Sequence, residues 1–482
     1  MSKKNTVSKK VESPDNIYTQ QVKNLVDLVY PQDAGLGSVY EDARHFFSVT
    51  PSLEDHAHDL KMQINSLRQT QKAPEKVEQL KQKLKKAQLK LEEERLNRVS
   101  RVHDVAYKLL NLCEGDSYEE TQLLSAKFLG TIMLQTRGKV TGFQRLHQRL
   151  KPLYKAVLTL RLTDKMFQEQ TVKNPYLLKH KDALSRFDGN REVLEKWRAG
   201  LAVPLICASI LQDIGLQSIE ALVLLRGEDK ELDEFRVLEA EKRKALLKYN
   251  YQYTMDYLKK GLGIPKYIGN DKDERDEFVT FHKAASQFVQ VIAKDAFVSK
   301  SGLGELLKIP QIYTSIVLST KPDYSRKELP KGYLLIEQLA RKGVLNEKLA
   351  EAFIKIVGYF PQGFGITFIP VNERGEEKNQ YECAIVNRLN PKHPAEPKCR
   401  VATRNLTYIA SGSDEVVTRA RNLFFAANQK KLMRIGKDRL IEIMSQLSKD
   451  FDPEDVDQLV PPFWEPNDFF SFKKNQNMWN KG

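Results

Sequence analysis

Gln212 and Asp213 are the residues whose types and position point most directly to chemistry, because they follow a long, mostly apolar segment. The apolar residues of segment 201–211 predict a buried helix that ends at these two polar side chains. The Asp213 carboxylate could bind a cation. The Gln212 amide is a poor ligand for Zn, Fe or Ni, for which an imidazole nitrogen is far better suited. The question for this chain is therefore whether these two residues can take part in binding a metal ion.

None of the histidines elsewhere in the sequence is an obvious metal ligand to accompany Asp213. The chain has 8 histidines, and only His58 and His103 are followed by an aspartate. We expect His58 to lie on an exposed helix face. We expect the pair His103-Asp104 to belong to a helix face with a salt bridge. His282 falls in the predicted helix 278–298, where a buried, hydrogen-bonded structural role is favoured.

Nucleotide-binding loops and nucleophile elbows are not found in the sequence. Gly302-Leu-Gly304 lacks the Lys-Ser end of a P-loop, and no Gly-x-Ser-x-Gly motif occurs. Gly261-Leu-Gly263 is predicted to end a helix rather than to bind a dinucleotide.

The composition indicates a folded, helix-rich protein. The chain has 482 residues, of which 41% are hydrophobic and 29% charged, so we expect about two to four packed domains. Its 4 cysteines form no CxxC pair, which favours a reduced, cytoplasmic setting. No apolar run is long enough to span a bilayer, and no apolar segment follows the basic N-terminus as it would in a secretory signal.

The net charge of +14 is concentrated in segment 137–165, where eight Lys or Arg residues accompany the single acid Asp164. The favoured interpretation is a solvated basic helix face, and the alternative is a surface that binds phosphates or nucleic acid. No zinc-finger, aromatic RNA-binding or helix-turn-helix pattern accompanies the segment. We therefore expect no nucleic-acid partner.

The N-terminal part is predicted to be helical over residues 16–170, after a disordered tail at 1–15. Pro74 interrupts the helical pattern. The residues that follow it repeat apolar side chains at steps of 3 and 4, which is typical of a coiled-coil seam. Two structures are equally compatible with this short seam: an antiparallel helical hairpin, or a homodimer formed through the N-terminal helices. The seam consists of Val77, Leu80, Leu84, Ala87 and Leu91.

The C-terminal part changes from helix to strand patterns. Helices are predicted over 171–360, and a small β-rich subdomain over 361–412. Ser413 is the predicted N-cap of a helix over 413–448. The acidic and aromatic tail 449–482 is expected to dock on the chain's own core, with docking on a partner as the alternative.

The segment that ends in Gln212-Asp213-Ile-Gly215 resembles the HD-GYP family, the metal-dependent phosphodiesterases of cyclic di-GMP. The resemblance covers residues 171–411 and implies a mainly α fold whose region 171–360 is a degenerate HD-type all-helical bundle. Four further segments are similar to family motifs in the same order: Leu232-Asp-Glu-Phe-Arg, Val291-Ile-Ala-Lys-Asp295, Glu351-Ala-Phe-Ile-Lys-Ile-Val-Gly-Tyr-Phe-Pro-Gln-Gly-Phe and Ala384-Ile-Val-Asn-Arg-Leu-Asn-Pro.

The departures from the family bear on its activity, which uses a set of histidine and carboxylate ligands to hold two or three metals. Gln212 replaces the first histidine, and the segments 248–252 and 269–277 lack the histidines and the Gly-Tyr-Pro turn that the resemblance implies. Only Asp213, Asp295 and His180 remain as vestigial ligands. We therefore expect no metal cofactor and no hydrolysis.

If the Asp213 carboxylate is buried without a metal, it needs another cationic partner. Lys294 and Lys300 are the expected candidates.

Three functions remain open from the sequence. The first is a catalytically inactive signalling, ligand-binding or scaffolding module of a bacterial pathway, with a protein partner and with cyclic di-GMP as a candidate ligand. The second is an active phosphodiesterase whose rebuilt site combines Asp213, Asp295, His180 and the acids of 271–277 with Mn, Fe or Mg. The third is a nucleic-acid-binding protein that uses segment 137–165.

Overall fold

Helices dominate the fold, as the 3.6-residue spacing of apolar side chains predicts. The computed structural model describes residues 14–32, 35, 37–69, 74–136, 142–432, 441–442, 445 and 460–479, so most of the predicted tail 1–15 lies outside the described residues. The α-helices are α1 (Ile17–Val29), α2 (Val39–Ser48), α3 (Thr50–Gln69), α4 (Pro74–Cys113), α5 (Tyr118–Gln135), α6 (Phe143–Gln168), α7 (Pro175–Leu178), α8 (Arg191–Trp197), α9 (Val203–Leu211), α10 (Ile219–Arg226), α11 (Ala240–Asp256), α12 (Lys272–Phe297), α13 (Glu305–Val317), α14 (Gly332–Arg341), α15 (Glu347–Val357), α16 (Ala426–Leu432) and α17 (Asn467–Phe470).

Short helical turns and a small sheet complete the described architecture. The 3-10 turns are Ala183–Phe187, Ile214–Gln217, Arg326–Lys331 and Lys473–Asn477, and the π-helical turns are Arg198–Ala202 and Tyr257–Leu262. The strands are β1 (Gly365–Phe368), β2 (Glu382–Val386), β3 (Lys398–Val401), β4 (Thr403–Arg404), β5 (Thr407–Tyr408) and β6 (Asp414–Val416). Among the described residues, no helix is both long and apolar enough to cross a membrane. The predicted mainly α fold is confirmed.

The hairpin of α3 and α4 accounts for the coiled-coil-like seam. Leu60 and Ile64 of α3 pack against Leu80 of α4 in a small separate cluster, with Val77 and Leu84 partly buried beside it. Two consecutive helices joined by a short connection pack as antiparallel neighbours. The seam therefore pairs within the chain, as the predicted hairpin requires, and the homodimer stays a prediction.

Helix α6 lies at the centre of the molecule, and several of its charged residues are buried with it. Arg149, Lys155 and Arg161 are each less than a tenth exposed. The interpretation of segment 137–165 as a solvated basic face is therefore wrong for these three residues, whereas Arg145 is exposed as that interpretation expects. The sequence pattern misled because each of these cations has a buried or half-buried acidic partner from a distant segment.

Arg161 illustrates how the charge inside the core is neutralised. Its guanidinium contacts Glu114 at 2.8 Å and Asp164 at 3.2 Å. Arg186 binds the same two carboxylates, at 2.8 Å and 2.9 Å. Burial disfavours the charged form of Arg161, but Glu114 and Asp164 more than offset this and raise its pKa. The four side chains thus form a balanced network between α4, α6 and the turn at Ala183–Phe187.

One hydrophobic cluster runs through the N-terminal helices, the helices of 171–360 and the sheet. Its buried members extend from Val22 to Val417. The positions 170 and 360, where the sequence suggested boundaries, both lie within the span of this single cluster. The N-terminal helices therefore help to position the residues around Asp213.

The four-stranded antiparallel sheet has the order β1-β2-β3-β6. Residues 414–416 form β6, which pairs with β3 through Arg400 and Asp414. The predicted start of a helix at Ser413 is therefore wrong, because pairing with β3 outweighs the local N-cap signal. A helix does follow the sheet, but it begins at Ala426, and much of the predicted span 413–448 lies outside the described residues.

The C-terminal aromatic residues dock on the chain itself, as expected. Trp479 is 1% exposed and lies in a cluster with Leu134, Ile385 and Phe469. The Trp479 ring lies so close to Gly130 that a Cβ at that glycine would be 2.5 Å from the ring. The tail segment 460–479 is therefore part of the packed structure.

We predict that Trp479→Ala lowers the free energy of unfolding by about 3–5 kcal/mol, because it opens a large cavity against α5. Phe472→Ala, in the same segment but with the Phe472 ring 54% exposed, should change it by less than about 0.5 kcal/mol. Urea unfolding followed by circular dichroism measures both. Equal effects of the two substitutions would contradict docking of Trp479.

Candidate functional site

Helix α9 ends directly before Gln212 and Asp213 and so positions these two residues. All residues of α9 are buried, and the chain turns at Asp213 into the short helix Ile214–Gln217. Gly215 lies directly against α11, since a Cβ there would be 2.3 Å from the Asn250 carbonyl oxygen. The apolar helix therefore fixes the position of the two polar residues, and the glycine allows α11 to approach them closely.

Lys155 of α6 forms the closest charged contact of this site. Its Nζ lies 2.9 Å from Asp213 Oδ2 and donates to Gln212 Oε1 at 3.2 Å. Lys155 is 3% exposed, whereas the side chain of Asp213 is 26% exposed. The ammonium group thus bridges the two residues that the sequence singled out.

Two amides complete the environment of the Asp213 carboxylate. Asn250 Nδ2 donates to Oδ1 at 3.1 Å, and Gln311 Nε2 is 3.2 Å from both oxygens. Oδ1 therefore has donors from α11 and α13, and Oδ2 has a donor from α13 in addition to the ammonium of Lys155. This satisfies the hydrogen-bonding capacity of a partly buried carboxylate without a metal.

The electrostatics of the site favour an ionised Asp213. Burial alone would raise the pKa of Asp213, but the charge and hydrogen bond of Lys155, together with Asn250 and Lys151, outweigh it and lower the pKa. Burial lowers the pKa of Lys151 to about 8, although Asp213 partly counteracts this. At neutral pH the carboxylate is therefore balanced by protein cations.

The expected cationic partner of Asp213 is confirmed, but both predicted candidates are wrong. The partner is Lys155, not Lys294 or Lys300. Lys300 contributes only its backbone N–H, and it donates to Asp295. The resemblance began at residue 171 and drew attention away from α6. Two lysines one helical turn apart, Lys151 and Lys155, beside an otherwise largely apolar segment were the signal that could have found the partner.

Asp295 has a structural role in the described contacts. Its Oδ1 accepts from the backbone N–H groups of Lys300 and Ser301 at 2.8 Å each, and Oδ2 accepts from Gly304 at 2.7 Å. Burial would raise its pKa, but these backbone hydrogen bonds outweigh burial and lower it. Asp295 thus holds the turn before α13 and is not directed at Asp213.

His180 lies in a different place from the other predicted ligands. It borders a cleft that also contains Asp273, Asp276 and Glu277, but neither Asp213 nor Asp295 lines this cleft. Burial lowers the pKa of His180 to about 4, with a smaller effect from neighbouring lysines. In the described part of the chain, no three His, Cys, Asp or Glu side chains converge on a position that could hold a metal ion.

His58 and the pair His103-Asp104 lie as the sequence favoured, whereas His282 is only half-buried, with no side-chain hydrogen bond among the described contacts. His58 is exposed. Asp104 pairs with Lys108 on the surface of α4 at 2.6 Å. His103 turns inward and lines a small, mainly apolar cavity together with His282, and burial lowers the pKa of His103 to about 4.

A resident divalent cation does not fit the residues around Asp213. Such a site needs several oxygen or nitrogen ligands, whereas the groups closest to the carboxylate are donors: one ammonium and two amide nitrogens. A metal at Asp213 would also stand beside the positive charge of Lys155.

Comparison of the chain with protein-family models, curated proteins and solved structures finds no match. The HD-GYP resemblance thus remains a prediction based on sequence motifs.

We predict that Lys155→Met lowers the free energy of unfolding by about 1–3 kcal/mol, because Asp213 loses its compensating charge. The double variant Lys155→Met/Asp213→Asn should recover part of this loss, since no uncompensated carboxylate remains. Urea unfolding of the two single variants and the double variant gives the coupling. Strictly additive effects would contradict an ion pair.

The pH dependence of the difference in unfolding free energy between wild type and Lys155→Met provides a second measurement. The folded state lowers the pKa of Asp213. The contribution of Asp213 to the free energy of unfolding is therefore present above the unfolded carboxyl pKa of about 3.9, and it is lost as pH falls through the lower pKa of the folded state. The difference between wild type and Lys155→Met should therefore be constant near pH 6 and shrink below about pH 4. A difference that is independent of pH would argue against the ion pair.

Proposed function

We propose that this chain is a non-hydrolytic binding or scaffolding protein of a bacterial signalling pathway, in which the Lys155 ammonium takes the place of a catalytic cation. The observation that carries the proposal is the bridge from Lys155 to Asp213 and Gln212. An ammonium neutralises the carboxylate but cannot act as a Lewis acid or lower the pKa of a bound water as a metal does. The helical frame would then serve recognition only.

The alternative of a rebuilt phosphodiesterase site has less support. It requires Asp213, Asp295 and His180 to converge with the acids of 271–277. Asp295 is engaged by three backbone N–H groups, and His180 borders a cleft that does not include Asp213. The donors that surround Asp213 favour a carboxylate held in the protein frame over one that binds metal.

The nucleic-acid alternative loses part of its proposed surface. Arg149 is paired with Asp27, Lys155 with Asp213, and Arg161 with Glu114. A buried and paired cation cannot neutralise a phosphate backbone.

We further propose a cytoplasmic setting and a protein partner. The 4 free cysteines are all buried, which fits a reducing compartment. The α3–α4 hairpin satisfies its apolar seam internally, so we favour recognition by its charged outer faces over a homodimeric coiled coil.

A metal-dependent hydrolysis assay tests the proposal. Purified full-length protein, loaded separately with Mn²⁺, Fe²⁺ or Mg²⁺, should not cleave cyclic di-GMP or bis-p-nitrophenyl phosphate above the buffer rate. Asp213→Asn is the matched control, and its rate should equal that of wild type. Turnover with a stoichiometric metal that Asp213→Asn abolishes would overturn the proposal.

Calorimetry with cyclic di-GMP examines the ligand-binding form of the proposal. Binding weakened by Lys151→Ala would support a residual cavity near Asp213. Absence of heat at tens of micromolar protein would remove this ligand from the proposal and leave the scaffolding role.

A further inference from the structure

The cleft between α5 and the sheet is lined by five cations, which are Lys165, Arg388, Lys398, Arg400 and Arg404. It has a volume of about 1380 Å³, which is ample for a nucleotide-sized ligand. Asn390 Nδ2 donates to Gln122 Oε1 at 2.8 Å and ties the two walls together. The cleft is therefore a defined cavity between packed elements.

The sheet wall of this cleft carries more positive than negative charge. Asp414 alone accepts from two guanidiniums, from Arg388 at 2.7 Å and from Arg400 at 2.8 Å. The side chain of Arg400 is 7% exposed and that of Arg388 is 19% exposed. The two guanidiniums therefore share one carboxylate in a floor that is largely removed from water, where Arg400 also donates to the Gly412 carbonyl oxygen at 2.7 Å. Burial and the neighbouring Arg400 accordingly lower the pKa of Arg388.

Two exposed cations extend the same wall. Lys398 lies two residues from Arg400 on β3, so both side chains belong to one face of that strand. Arg404 reaches the cleft from the neighbouring β4. Neither Lys398 nor Arg404 forms an ion pair with another described residue.

Besides Asp414, the acids that line the cleft are Glu119 and Glu120 on the opposite wall, near the start of α5. Glu120 is engaged there, since its Oε2 accepts from the backbone N–H of Asp116 at 2.9 Å. Glu119 belongs to the first turn of the same helix. The cleft is thus polarised, and its cationic side is the sheet.

We propose that this cleft binds a small phosphorylated ligand, whose phosphate groups contact Lys398 and Arg404 above the Arg388–Arg400 floor. Guanidinium groups match the geometry of phosphate oxygens and lysine adds a mobile charge. Enclosure between two walls favours a small molecule over a nucleic-acid backbone, which needs an open, extended surface. The proposal concerns a different region from Asp213 and does not depend on the fate of that site.

Isothermal titration calorimetry on the full-length protein at low salt tests this site. The probes are pyrophosphate and ATP without metal, so that phosphate recognition is distinguished from nucleotide recognition. We expect binding of at least one probe, weakened about tenfold or more by Lys398→Glu/Arg404→Glu. These two side chains are exposed, so the variant should fold, which circular dichroism verifies.

The matched control is Lys83→Glu/Lys86→Glu on α4, which changes the net charge by the same amount at exposed positions outside the cleft. It should keep the wild-type affinity. Three results would overturn the proposal: no heat with either probe at millimolar concentration, equal weakening by both double variants, or tighter binding of single-stranded RNA than of either probe.

Discussion

Burial of charge along α6 is the constraint on which the rest of this structure depends. A helix at the centre of a hydrophobic cluster carries Lys155 and Arg161, and each needs a carboxylate because an unpaired charge in the core costs several kcal/mol. The carboxylates come from elsewhere in the chain: Asp213 follows α9, and Glu114 follows α4. The ion pairs therefore fix how the N-terminal helices pack on the rest of the molecule.

The same constraint links the core to the candidate site. In a metal-dependent hydrolase, a carboxylate at the end of such a helix would serve a metal ion. Here Asp213 serves the packing of α6, with Asn250 and Gln311 as additional donors. Asp213 therefore has a structural reason to be an acid that does not involve a metal. A sequence pattern that resembles a catalytic motif can thus describe a helix junction.

Local patterns were enough to predict the helices, the hairpin seam and the position of Gln212 and Asp213. They did not predict Lys155, because the partner of Asp213 lies 58 residues earlier in the chain and only the packing of α6 brings it close. The error at residues 413–416 has the same cause: Asp414 joins β3 through Arg400, and this distant pairing outweighs a local helix signal. The periodicity of a sequence indicates which helices and strands form and which of their faces are buried. The partner of a charged residue depends instead on tertiary contacts.

The most direct measurement is a crystal structure of the full-length protein soaked with Mn²⁺, with anomalous diffraction data collected. We predict that the Lys155 ammonium lies within hydrogen-bonding distance of Asp213 and that no anomalous peak appears beside this carboxylate. A manganese peak about 2.0–2.5 Å from an Asp213 oxygen, with Lys155 displaced, would contradict the account.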